Sequence, residues 1–319
     1  MACMRLRFGE CYSMPNWRQV LDEIIAWANT NSQQAGNAPD VIRRKYLDQL
    51  FRHRDRNVIA YYSGFLSRPG LVQSGILDED KNGFMMAVHT LDRSKGLDLI
   101  LHTPGGDIAA TQSIVHYLQN MFGKDICAFV PQIAMSAGTM IACSCKEIWM
   151  ATHSNLGPID PHLRGIPTYG VVREFRRAHK EVKKDPSKVV IWQTIIGQYR
   201  PTFLGQCENA VIWSNNFVRG QLEKVMFDGD SQGKKKAGKI VKDLSNYQKN
   251  RVHDRHIHHE ECTAMGLKIK MIESDPTLQD LVLTVHHCYM HAFMNSTAYK
   301  IIENHLGSAI VRNATPGTK

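Results

Sequence analysis

Two short motifs in the middle of the chain combine small residues with hydroxyl groups. The first, Thr103-Pro104-Gly105-Gly106, follows an apolar run typical of a strand and precedes an apolar pattern with helical spacing. Backbone N–H groups at a helix start lack intrahelical partners, and glycine lets another group approach them closely. The motif therefore has the features of an oxyanion hole, although an ordinary strand-to-helix turn would have the same pattern.

The second motif, Ala134 to Thr139, also stands between a predicted strand and a predicted helix. Ser136 falls where the helix begins, and the positive end of a helix favours a developing alkoxide. Ala137 supplies a backbone N–H beside it, whereas an N-capping serine is the structural alternative. Gly106 and Ser136 are 30 residues apart on successive strand–helix units. We therefore expect them to meet at one sheet edge and surround a single carbonyl group.

The segments around both motifs alternate between strand and helix patterns. Short apolar runs predict strands at 97–102, 126–130 and 147–151, and helical periodicity covers 108–122 and 136–145. Continuous apolar strands that alternate with helices are typical of an α/β core with a largely parallel sheet.

Five strings occur in the order in which a known superfamily has them: RRKYLDQL, RNVIAYYSG, LDLILHTPGGDIAATQSIV, AMSAGTMIACS and LGPIDP. With IHHEECTAMGL further on, the chain resembles the Clp-protease and crotonase superfamily over about residues 40–275. Within that superfamily it is most similar to the signal peptide peptidase A-like group known as serine dehydrogenase proteinases. The resemblance implies an α/β fold, a Clp/crotonase-type spiral of strand–strand–helix units with helical additions at both termini.

The same resemblance implies roles for individual residues. Ser136 matches the nucleophile, Gly105 and Gly106 match the oxyanion-hole turn, and the N–H groups of Gly106 and Ala137 are the expected donors. The implied activity is that of a serine endopeptidase without metal or organic cofactor. Its expected partners are a peptide or protein substrate and further copies of the chain. We expect the subunit interface on the C-terminal helix, with Leu281, Val282, Val285 and Met290.

The general base is the open part of this prediction. The histidine position of Clp-type enzymes falls near Ile159 and the aspartate position near Asn250, and neither residue can serve. A Ser–Lys dyad is therefore favoured, with Lys180 as the first candidate, since burial can lower the pKa of a lysine by several units. The other candidates all follow the LGPIDP string in the sequence: Lys183, Lys184, Lys188, His162 and His179.

Patterns outside the core predict three regions. Residues 1–56 are expected to be a helical region, 57–275 the peptidase core, and 276–319 a long C-terminal helix followed by a frayed tail. Within the core, the polar and basic segment 228–239 reads as a mobile loop. The histidines near 253–259 are predicted to be surface residues rather than zinc ligands, because zinc needs a fixed geometry and usually a further ligand.

Composition sets the remaining expectations. The 319 residues carry 39 Lys and Arg against 30 Asp and Glu, a net charge of +9, and 43% are apolar. These values exclude a disordered or coiled-coil chain. The sequence has no apolar run of membrane-spanning length, no signal-peptide pattern and no C-x-x-C pair. We therefore expect a cytoplasmic protein with free thiols, without specific nucleic-acid binding, and with at most peripheral membrane contact. A catalytically inactive scaffold on the same fold is the alternative to a peptidase.

Overall fold

The computed structural model describes residues 16–163, 165–246 and 252–315. Asn250 and the thiols of Cys3 and Cys11 lie outside these ranges. Within them, six cysteines are buried and free of disulfide bonds. No helix of the described segments has a long enough apolar stretch to cross a bilayer.

Helices cover both sides of a central sheet. In chain order they are α1 Trp17–Thr30, α2 Ala38–Arg54, α3 Asp80–His89, α4 Ile108–Phe122, α5 Ala137–Cys143, α6 Thr168–Lys184, α7 Val189–Ile196, α8 Phe203–Gln221, α9 Gly233–Leu244, α10 His259–Met265 and α11 Pro276–Asn295. The strands are β1 Asn57–Ser63, β2 Leu97–His102, β3 Ile126–Val130, β4 Ile133–Ala134, β5 Glu147–Met150, β6 Asn155–Leu156, β7 His162–Leu163, β8 Ile166–Pro167, β9 Ile257–His258, β10 Ile269–Met271, β11 Ala298–Asn304 and β12 Ala309–Asn313.

The central sheet has seven strands in the order β10-β5-β3-β2-β1-β11-β12. The first five are parallel, and β11 and β12 join antiparallel at the β1 edge. Alternate residues of β1 enter opposite cores: Ile59 and Tyr61 pack on one side, Val58 and Tyr62 on the other. A strand buried on both faces needs apolar residues at nearly every position, which explains its continuous apolar pattern.

Short strands β4, β6 and β9 form a second, smaller sheet. β4 follows β3 and precedes α5, and β6 follows β5 and leads towards α6. These are the strand–strand–helix units that the sequence predicted, so the α/β expectation is confirmed. The arrangement brings the ends of β2 and β4 together, because Thr103 bridges Ala134.

The predicted mobile loop at 228–239 is wrong for most of its length. Helix α9 begins at Gly233, and its apolar residues Ala237, Ile240 and Leu244 are buried. The lysines at 234–236 are exposed on its outer face. The buried residues have the spacing of an amphipathic surface helix. The adjacent run of lysines made the segment look like a polar loop in the sequence.

The predicted long C-terminal helix is confirmed over Pro276–Asn295, but its expected extension to about residue 305 and the frayed tail from Gly307 are wrong. Helix α11 ends at Asn295, and the chain returns as β11 and β12 to complete the central sheet. In β11, Ile301 and Ile302 enter opposite cores. The side chains expected at a subunit interface are buried within this chain and therefore do not form it: Leu281, Val282, Val285 and Met290.

Candidate active site

Ser136 occupies a strained turn between β4 and α5. Its φ of 50° and ψ of −113° place a non-glycine residue where side chains are rarely found. Such strain persists only where the surroundings impose it, and it is common at functional sites. The serine is half-buried. The turn therefore holds the hydroxyl at the helix start while leaving it within reach of solvent.

The glycine turn after β2 lies directly against this serine. A Cβ atom on Gly105 would come within 2.7 Å of the Ser136 Cβ and 3.1 Å of the Ala137 nitrogen. Gly105 also has a φ of +101°, which only glycine adopts without strain. Only glycine therefore fits at position 105, where the turn packs against Ser136.

Two backbone N–H groups near Ser136 are unpaired. Neither the Gly106 N–H nor the Ala137 N–H has a hydrogen-bond acceptor among the residues that the structure describes. The Gly105 N–H donates instead to Thr103 Oγ1 at 3.2 Å. Unpaired N–H groups beside a hydroxyl are suited to a negatively charged oxygen.

A segment before α3 holds the glycine turn in place. The Ile76 N–H donates to the Gly105 carbonyl at 2.8 Å, and the Ile76 carbonyl accepts from the Asp107 N–H at 2.9 Å. A Cβ on Gly106 would lie 2.2 Å from the Ile76 nitrogen, so this close pairing also requires glycine. The Asp107 side chain accepts from the Ala110 N–H and caps α4.

Sequence reasoning missed the buried ions that support this segment. Lys300 Nζ in β11 donates to the Gly75 carbonyl at 2.6 Å and to Asp80 Oδ1 at 2.8 Å. Asp80 Oδ2 accepts from the Leu77 N–H at 3.0 Å. Gly75 and Leu77 flank Ile76, so the ion pair holds both sides of the residue that positions the glycine turn. The sequence feature that could have indicated this ion pair is a lone lysine in the strand-like segment AYKIIEN.

A neutral histidine lies beneath the same sheet edge. His102, the last residue of β2, has Nδ1 3.1 Å from the Ser63 carbonyl, to which it donates, and Nε2 3.0 Å from the Gln132 side-chain amide, from whose NH2 group it accepts as a neutral ring. Burial lowers its pKa from 6.5 to about 4. The residue that precedes the glycine turn is thus uncharged at neutral pH.

The lysine candidates for the base all lie on or after α6. The side chain of Lys180 is exposed, as are those of Lys183 and Lys184. Lys188 is half-buried and pairs with Glu181 at 3.4 Å. No hydrogen bond joins any of these lysines to Ser136 in the described part of the chain. Burial is the usual means of turning a lysine into a base, and none of the four is buried.

The two histidine candidates differ in their surroundings. His179 is exposed on α6. His162 Nε2 lies 3.6 Å from Asp160 Oδ2, beside His253, whose Nδ1 is 3.0 Å from Asp160 Oδ1. This Asp160–His162 segment follows Gly157, which packs against the residue before Ser136: a Cβ at Gly157 would lie 3.2 Å from the Met135 Cα.

Comparison with known proteins identifies a family and two relatives. The family model described as ClpP-like SDH-type serine proteinase matches residues 31–283. Two uncharacterized proteins of Methanocaldococcus jannaschii are similar to the chain. MJ0137 is 28% identical over 252 residues, which cover 77% of this chain and 78% of the relative. MJ1495 is 28% identical over 148 residues, which cover 45% of this chain and 50% of the relative.

Proposed function

The chain belongs to the ClpP-like SDH-type serine proteinase family, and on that premise we propose that it is a serine endopeptidase. The observation that supports this most strongly is the contact between the strained Ser136 turn and the glycine turn, with two unpaired N–H groups beside it. We also propose that its substrate is a peptide or protein and that it acts as a homo-oligomer.

The proposed reaction begins with attack of Ser136 Oγ on a peptide carbonyl carbon. The base takes the hydroxyl proton, and the carbonyl oxygen becomes an oxyanion that accepts from the Gly106 and Ala137 N–H groups. Collapse of the tetrahedral intermediate breaks the C–N bond, and the base returns the proton to the leaving amine. Water then hydrolyses the acyl–enzyme ester by the same steps.

Lys180 remains the first candidate for the base. It is exposed, so this role requires a substrate or a second copy of the chain to cover it. The same exposure favours the second candidate function, an inactive scaffold on a peptidase fold. Reactivity of the serine therefore decides between the two.

The test is labelling with a fluorophosphonate probe, followed by intact-mass analysis at several pH values. We expect a single adduct on the wild-type chain, none on Ser136→Ala, and an unchanged adduct on the control Ser94→Ala, whose serine is exposed elsewhere. Absence of an adduct on the folded wild-type chain would contradict the peptidase proposal and favour the scaffold.

The base is then identified by the pH dependence of the labelling rate. Lys180→Met should lose labelling at neutral pH and keep its thermal unfolding midpoint, and Arg176→Met, an exposed cation on the same helix, is the control. Equal labelling of both variants would exclude Lys180 and direct the same test to Lys183, Lys184, Lys188, His162 and His179.

A further inference from the structure

Three potential metal ligands converge where the loop after β6 meets the loop before β9. They are a carboxylate oxygen of Asp160 and one ring nitrogen each of His162 and His253, and the three ligand atoms lie within 4.8 Å of one another. Asp160 stands between the two rings, 3.0 Å from His253 Nδ1 and 3.6 Å from His162 Nε2. The imidazole centroids are 4.0 Å apart.

The fold places these residues together through strand register. Strands β6 and β9 are antiparallel with Leu156 opposite Ile257. Asp160 lies four residues after Leu156 and His253 four before Ile257, and beyond the paired residues the two segments still meet, with His253 Nδ1 3.0 Å from Asp160 Oδ1. His162 is set beside them by the β7–β8 hairpin, in which it pairs with Pro167.

Several contacts from neighbouring helices fix the Asp160 segment. The Ile159 N–H donates to the Leu244 carbonyl at the end of α9, and the Ile159 carbonyl accepts from Ser214 Oγ in α8. The Pro161 carbonyl accepts from both the N–H and the hydroxyl of Thr168 at the start of α6. Three helices thus hold the carboxylate in one position, as a metal site requires.

The electrostatics of the cluster favour a cation. The Asp160 side chain is only 3% exposed. His162 Nε2 is buried without a hydrogen-bond partner among the described residues. A buried acceptor or donor without a partner is costly, and a metal ion would satisfy a ring nitrogen at this position.

We propose that Asp160, His162 and His253 bind a divalent transition-metal ion, with Zn²⁺ as the best match. Zinc takes nitrogen and carboxylate ligands at about 2.0–2.2 Å in a tetrahedron, so neighbouring ligand atoms stand about 3.4 Å apart. His253 Nδ1 lies 3.0 Å from Asp160 Oδ1 and His162 Nε2 lies 3.6 Å from Asp160 Oδ2, so each ring nitrogen is near that distance from one of the two carboxylate oxygens. Three protein ligands leave a fourth position for water or a ligand.

The ligand types also select the metal. Mg²⁺ and Ca²⁺ prefer oxygen ligands, and this cluster has a single carboxylate. Two imidazoles favour zinc, copper, nickel or iron. The other histidines of the segment do not form such a set: His256 and His258 are exposed, and His259 lies 3.1 Å from the exposed carboxylate of Glu260.

The test is Zn²⁺ binding by the full chain after treatment with a chelator. Isothermal titration with Zn²⁺ should show one tight site per chain, and Co²⁺ should give the visible absorption of a tetrahedral site. His253→Gln, His162→Gln and Asp160→Asn should each weaken binding at least about 100-fold, since even outer-shell changes cost 10- to 100-fold. His256→Gln is the matched control from the same loop and should bind as the wild type does.

Two results would overturn the proposal. One is the absence of a tight site on the folded wild-type chain. The other is a site that the three cluster variants retain and His256→Gln weakens, which would be adventitious binding by surface histidines. Circular dichroism of each variant shows that it is folded. Because binding is measured without substrate, this result is independent of whether Ser136 is reactive.

Discussion

The region around Ser136 and the C-terminal edge of the sheet use polar groups in different ways. Around Ser136 the donors are backbone N–H groups, and the nearby His102 is neutral at physiological pH. At the C-terminal edge, β11 places Lys300 and Glu303 in the interior, where each is almost completely buried. The first region leaves its donors unpaired, whereas the second pairs its charges within the chain.

The buried charges of β11 are fully partnered. Glu303 accepts from Arg43 of α2 and from the Tyr289 hydroxyl of α11 at 2.7 Å. Burial alone would lower the pKa of Arg43, but the adjacent Glu303 carboxylate raises it overall. Buried ion pairs of this kind join segments that are distant in sequence. Removing one partner is strongly destabilising, because the other charge is then buried alone. Backbone donors, in contrast, are available to a charge that exists only during a reaction.

The largest expected effect is on stability at the C-terminal edge. Glu303→Gln keeps the side-chain shape and removes the buried counter-ion of Arg43, which then has only the partly exposed Asp40 carboxylate at 2.9 Å. We expect the free energy of unfolding to fall by about 3–5 kcal/mol in urea denaturation. Asp48→Asn, which breaks the exposed pair with Arg52, is the control and should change it little. Similar losses of unfolding free energy in the two variants would contradict the distinction between buried and exposed ion pairs.

The next effect is on reactivity at the glycine turn. Gly105→Ala places a Cβ 2.7 Å from the Ser136 Cβ, and we expect fluorophosphonate labelling to slow by about 100- to 1,000-fold. Gly123→Ala is the matched control, because Gly123 also has a positive φ of 63° and has open space around it. It should cost about 1 kcal/mol of stability and leave the labelling rate unchanged. An unimpaired Gly105→Ala would contradict the proposed site.

A smaller effect tests whether the two regions communicate. Lys300→Met removes the donor to the Gly75 carbonyl, so Ile76 should hold the glycine turn less firmly and labelling should slow by about tenfold. Glu303→Gln is the comparison variant, since it lies in the same strand but does not contact the Gly75–Leu77 segment. At temperatures where both are folded, only Lys300→Met should slow labelling. Equal rates would show that Lys300 serves stability alone.

A further effect, which concerns one region alone, is a pH dependence of stability. The folded pKa of His102 is about 4 against 6.5 for the free side chain, so the unfolded chain binds its proton first. The free energy of unfolding should therefore fall as pH decreases from about 6.5 to 4, by at most about 1.4 kcal/mol per pH unit from this group. Urea denaturation across this range measures the slope.

His102→Gln should flatten that dependence without abolishing it, because burial also lowers the pKa values of His286 and His287. His256→Gln, an exposed site, should retain the full slope. A His102→Gln variant with the wild-type slope would contradict the assignment of a buried neutral imidazole.

The parts predicted well from sequence are local. Strands β2 and β3 and helix α4 begin and end where the apolar patterns predicted. The Ser136 and Gly105 turns were found because each motif is continuous and only 30 residues separate them. The parts predicted poorly depend on distant partners: Lys300 pairs with a residue 220 positions away, and His253 with one 93 positions away.

The sequence by itself determined the element types of the core, the family resemblance and the residues of the serine motif, because periodicity and glycine content are properties of neighbouring residues. Only the tertiary structure decided that β11 and β12 complete the sheet, that the lysines at 234–236 lie on a helix, and that Asp160 faces His253. Burial and charge pairing arise where two separate segments meet. The identity of a lysine or histidine in the sequence does not show whether it is buried or which group it pairs with. Its partner is therefore known only from the folded structure.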